Sequence, residues 1–105
     1  MRVETLESHS AGIISDNPNM MIAHYIMAAY AYYVQDDPIF SDAYYDELCK
    51  SILLMWDHID HRHKTYLDKD ALRAGSYLGE YPVIIEGALD EFRAIYSRNR
   101  PRKRK

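Results

Sequence analysis

The feature that most constrains this chain is a pair of apolar stripes at helical spacing, separated by a short connection through Asp36-Asp37-Pro38. In the first stripe Ile22, Tyr25, Ile26, Ala29 and Tyr32 recur every three or four positions, one face of an α-helix. In the second, Tyr45, Leu48, Cys49, Ile52, Met55, Trp56 and Ile59 do the same. Proline lacks an amide donor and restricts the residue before it, so the first helix should end near Gln35-Asp36. Ser41 then supplies a side-chain cap for the second helix. Two helices joined by so short a link lie antiparallel, and a helical hairpin is the expected heart of the fold.

The same reading extends in both directions. Asp16 or Asn17, just ahead of Pro18, marks the start of the first hairpin helix, with cap and first-turn proline in the favoured order. Residues 1–16 are weakly patterned and suggest at most a short turn around Ile13-Ile14. Asp68 suits the cap of a short helix from Lys69 to Ala74, closed by Gly75. Ser76 to Tyr81 reads as a loop. Pro82 then opens a last helix to about Ser97, with Ile84, Ile85, Ala88, Leu89, Phe92, Ile95 and Tyr96 as its buried stripe. There is no alternating strand pattern and no internal repeat. The expected fold is a small all-α bundle of three long helices and one short one, forming one domain over residues 1–97 with a basic tail over 98–105.

A chain of 105 residues is large enough for one modest core. With 48 % hydrophobic and 28 % charged residues it reads as a soluble globular protein. Its apolar runs fall far short of the ~20 residues that cross a bilayer, so no membrane partner is expected. The start, MRVETLESHS, lacks the apolar region of a signal peptide. A single cysteine, Cys49, excludes an internal disulfide and suits a reducing compartment, which implies a cytoplasmic protein. The net charge of −3 is unevenly spread: every acidic residue precedes position 98, while Arg98, Arg100, Arg102, Lys103, Arg104 and Lys105 crowd the end. Such a tail can hold nucleic acid nonspecifically through phosphates. It can equally be a solubilising terminus, or one that folds back on the acidic body.

One cluster suggests chemistry. Asp42, Tyr45 and Asp46 stand at i, i+3 and i+4, on one face of the second hairpin helix. Tyr32 and Tyr33 lie across the short connection, near enough to face them. Aromatic faces beside carboxylates suit a flat, positively charged ring. Each residue also has a plainer explanation. Asp42 is a first-turn acid favoured by the helix dipole, Asp46 an ordinary exposed acid, and tyrosines at helical spacing are usually core. Tyr25, Tyr30, Tyr77, Tyr81 and Tyr96 are expected in that core, with Tyr44 facing solvent.

The run YYVQDDPIFSDAYYD over residues 32–46 resembles the N-terminal helical subdomain of bacterial NAD-dependent DNA ligases. The likeness spans roughly residues 22–55. In that family the subdomain holds the nicotinamide mononucleotide half of NAD. The resemblance implies that Tyr32 and Tyr45 stack on the nicotinamide, that Asp42 and Asp46 are the acidic contacts, and that Tyr33 stands where the family carries His or Tyr. NAD or nicotinamide mononucleotide is the implied ligand. The Lys-x-Asp-Gly motif that carries the adenylated lysine of the ligases does not occur, so the chain is not expected to seal DNA alone. The whole chain also resembles small phage proteins described as related to this ligase, through Ala74-Gly75, Tyr81-Pro82 and the Glu86-Gly87-Ala88 helix.

Other chemistry finds less support. Asp57, His58, Asp60, His61 and His63 form a polar cluster at a helix end, but no Cys pair completes a structural zinc site and no metal is expected. His9 and His24 are too far apart in sequence to be assumed partners. Cys49 sits on an apolar stripe and reads as core. Three function classes follow: a non-catalytic module that binds nicotinamide nucleotide, to assist a ligase in trans or to sequester the nucleotide; an interaction or inhibitor protein using the hairpin and acidic surface on a protein partner; and an enzyme acting on NAD, which lacks a clear nucleophile.

Overall fold

The computed structural model describes residues 2–74, 77 and 80–98, with side chains described over 6–74, 77 and 80–94. The all-α expectation holds. Five α-helices, α1 (Arg2–Asp16), α2 (Met20–Ala29), α3 (Asp42–Leu54), α4 (Lys69–Ala74) and α5 (Ile85–Arg98), make up the described chain, with no strand among the described residues. Short 3-10 turns at Trp56–His58 and Lys64–Tyr66 link α3 to α4.

Helix α1 is the main correction, because Arg2–Asp16 is helical where the sequence suggests at most a short turn. Its inward face is polar at the centre, which hides it from a reading of apolar periodicity. Leu6 and Ser10 are both fully buried. The Ser10 hydroxyl lies 2.5 Å from His24 Nδ1 and accepts from the Tyr44 hydroxyl at 2.9 Å. A buried serine is tolerated only because these distant partners satisfy it. Tyr44 is accordingly half-buried and packed edge-on against Phe40, not turned to solvent. Glu7 adds a second tie to α3 by accepting the Ser41 amide at 2.6 Å.

The hairpin is present. Helix α2 is buried nearly all round, from Met21 to Ala29 apart from Ala23. It starts two residues beyond Pro18, after a turn in which Asn17 Oδ1 accepts the Asn19 amide. Antiparallel pairing with α3 brings Tyr25 against Tyr45 and Asn19 to the Asp60 amide, beyond the far end of α3. Ser41 caps α3 as expected, its hydroxyl accepting the Tyr44 amide at 3.2 Å. That helix stops at Leu54, so Trp56 and Ile59 do not extend it, although Ile59 is buried in the core from the following loop. Helix α5 begins at Ile85, after a turn from Pro82, and buries Ile85, Leu89 and Phe92. The turn leaves Ile84 outside the stripe and half-exposed. The side chains of Ile95 and Tyr96, and Gly75 as a helix stop, lie outside the described residues.

Between α2 and the Asp36-Asp37-Pro38 turn the helix widens into a π-turn over Tyr30–Val34. The Gln35 amide donates to the Tyr30 carbonyl at 3.1 Å, and the Asp37 amide to that of Ala31 at 2.8 Å. Winding an extra residue into the turn shifts the phase of the positions that follow. Ala31 stays buried, but Tyr32 leaves the apolar stripe and is 50 % exposed, as Tyr33 is 47 %. Asp36 then takes a left-handed conformation, φ 53°, to reverse the chain. Arg93 of α5 clasps that reversal, donating to Asp37 Oδ2, the Asp37 carbonyl and Gln35 Oε1 at 3.0, 2.8 and 2.8 Å.

Candidate functional site

The π-turn, the reversal and the first turn of α3 enclose an open cavity of about 490 Å³. Tyr32, Tyr33, Asp42, Tyr45 and Asp46 all line it, together with Ala28, Pro38, Phe40, Ala43 and Ala74. The five side chains singled out in the sequence therefore share one wall. They come from two elements, and each is placed by a local cause. Tyr32 and Tyr33 are turned outward by the π-turn, their rings 4.8 Å apart and perpendicular. Two perpendicular rings present one face and one edge toward neighbouring space. Asp42, Tyr45 and Asp46 share a face of α3 through their i, i+3, i+4 spacing, and the Ser41 cap starts that helix beside the reversal.

The remaining lining residues carry no titratable group, and sequence reasoning did not identify them. Phe40 is 5 % exposed and anchors the floor, packing on Tyr44 and Phe92. Ala74 joins the lining from the end of α4, far along the chain, a placement no local pattern signals. The small side chains of Ala28, Ala43 and Ala74 leave the space that larger residues would fill.

Tyr45 is the most constrained of the five. Its ring stacks on Tyr25 with centroids 5.2 Å apart and planes inclined by 25°. Its hydroxyl is buried beside that of Tyr25 without closing a well-formed hydrogen bond to it. Burial raises the pKa of both phenols above the ordinary value of 10, so both stay neutral. With one face on Tyr25, Tyr45 offers a ligand only its outer surface. Asp42 and Asp46 are exposed, and Asp46 has Lys50 at 3.4 Å on the solvent side, a screened i,i+4 pair. The lining thus combines exposed rings, a held ring and two carboxylates, with no Lys or Arg among the described lining residues.

A second cavity, of about 370 Å³, lies between α2, α5 and the loop carrying His61 and His63. His24 borders it, is 2 % exposed and has its pKa lowered to about 4, chiefly by burial and then by the nearby His9. His9 and His24, far apart in sequence, are brought near each other: both rings pack on Phe92. His61 and His63 are neighbours, and burial lowers the pKa of each. No group of three or more His, Cys, Asp or Glu able to hold a metal ion occurs among the described residues. Cys49 is buried against Tyr25, and burial pushes its thiol up to about 11, the opposite of an activated nucleophile. The basic-tail side chains of Arg98, Arg100, Arg102, Lys103, Arg104 and Lys105 lie outside the described residues. Among the described residues no helix is long and apolar enough to cross a membrane.

No family model, curated protein or solved structure matches this chain.

Proposed function

We propose that this protein is a small, non-catalytic binding module for nicotinamide nucleotides, with the cavity beside the π-turn as its site. The single observation that carries the reading is the convergence of Tyr32, Tyr33, Asp42, Tyr45 and Asp46 on one cavity. These are the residues that the ligase resemblance marks for nicotinamide recognition. The volume falls within the range of about 300–1,000 Å³ usual for small-molecule sites. A nicotinamidium ring carries its positive charge on a flat face. Each tyrosine face over it contributes about 0.5–2 kcal/mol, depending on how far the pair is desolvated. Asp42 and Asp46 offset the charge and accept from ribose hydroxyls.

Calorimetric titration of the purified chain with nicotinamide mononucleotide and NAD tests the reading. A Kd below about 1 mM, or a binding free energy beyond about −4 kcal/mol, is expected. Tyr32→Ala and Asp46→Ala should each weaken binding severalfold while leaving the helical circular dichroism unchanged, because both side chains are exposed. Tyr45→Ala is a poorer probe, since it also removes half of the stack with Tyr25. Absence of binding by either compound at millimolar concentration refutes the proposal.

A further inference from the structure

We infer that the cavity selects the cationic nicotinamide nucleoside, nicotinamide riboside or an N-alkylnicotinamidium, over its 5′-phosphate. The inference rests on the nicotinamide reading of the site and adds what that reading leaves open, the charge of the preferred ligand. Recognition of a nucleotide phosphate ordinarily uses Arg or Lys side chains, or free amides at a helix N-terminus. Among the described residues that line this cavity there is no Arg or Lys, and the charged ones are Asp42 and Asp46.

Among the described residues, Arg93, Arg73 and Lys50 of the flanking elements already face acidic or amide partners. Arg93 is held by Asp37 and Gln35 behind the reversal, and Arg73 pairs with Asp70 at 2.8 Å. Lys50 reaches Asp46 from solvent with 69 % of its side chain exposed, which leaves most of the aspartate charge uncompensated. The N-terminus of α3, which borders the cavity, is partly capped. The Ser41 amide is taken by the Glu7 carboxylate at 2.6 Å and the Tyr44 amide by the Ser41 hydroxyl at 3.2 Å, while Asp42 places an acid in the first turn. A phosphate arriving here meets negative charge where nucleotide sites usually present positive charge. The nicotinamidium ring meets the reverse.

The size of the effect follows from simple electrostatics. Two carboxylates about 8 Å from a phosphate dianion, in a water-like dielectric, disfavour it by roughly tenfold at 10 mM salt and roughly threefold at 150 mM. The full-length chain is titrated by calorimetry with nicotinamide riboside, nicotinamide mononucleotide, N-methylnicotinamide and neutral nicotinamide at both salt concentrations. The expected order places riboside ahead of mononucleotide by about tenfold at low salt, narrowing as the screening length falls from roughly 30 to about 8 Å. N-methylnicotinamide should exceed nicotinamide. Asp42→Asn and Asp46→Asn should each reduce the gap between riboside and mononucleotide. Mononucleotide binding as tightly as riboside, or a gap that does not respond to salt, overturns the charge selection while leaving a nicotinamide site in place. Failure of all four compounds to bind removes the site itself, and the selection with it.

Discussion

Replacing His24 with glutamine and following stability through mildly acidic pH examines how the core is held together. His24 is buried, and its Nδ1 is placed to accept from the Ser10 hydroxyl, which itself accepts from the Tyr44 hydroxyl. Charging the ring would face an N–H against that hydroxyl and place a cation in an apolar setting beside Phe92. The folded protein therefore keeps His24 neutral down to about pH 4, whereas an unfolded chain protonates it near 6.5. The unfolded state binds more protons throughout that window. Stability from this group is complete above pH 6.5 and is lost as pH falls toward 4. At about 1.4 kcal/mol per pH unit the loss approaches 3 kcal/mol. Urea unfolding at pH 7.5, 6.0, 5.0 and 4.5 measures it. Wild type should lose about 3 kcal/mol across the series, and His24→Gln, whose amide oxygen can accept from Ser10, much less. A smaller slope common to both is expected from His61 and His63, whose pKa values are also lowered. Parallel curves for the two proteins would refute the assignment of the buried imidazole.

Other outcomes follow from the same geometry. Ser41→Ala removes the α3 cap and should cost about 1 kcal/mol, read as a lower urea midpoint with an unchanged m-value. Arg93→Ala breaks three hydrogen bonds made by a side chain only 18 % exposed and should cost about 1–2 kcal/mol; Arg93→Lys should recover only part, because a single ammonium cannot span Asp37 and Gln35 as the planar fork does. With its pKa at about 11, the Cys49 thiol should react with a chromogenic disulfide about a hundredfold more slowly in the native protein than in urea, and an equal rate would contradict its burial.

The parts of the fold written in local pattern were legible, and those that depend on distant partners were not. The Ser41 cap, the short α4 after Asp68 and the hairpin itself all rest on contacts within a few positions, and each lies within a few residues of where the sequence puts it. Helix α1 was hidden because its buried face includes Ser10, whose acceptability depends on His24 and Tyr44, fourteen and thirty-four positions away. Tyr44 was misplaced for the same reason. At the site, the i, i+3, i+4 spacing placed Asp42, Tyr45 and Asp46 together, and the short connection brought Tyr32 and Tyr33 to them. The π-turn that frees those two rings has no signature in residue type, and neither does the approach of Ala74.

That widened turn has a practical consequence. Because the helix slips phase after Ala31, the residues that fill the interior and those displayed to solvent are set by separate stretches of one continuous rod. Tyr32, Tyr33 and Val34 can be exchanged one by one, or in a small library, with little disturbance to the folded body. The molecule thus displays a three-residue panel that can be varied without first re-engineering its foundations.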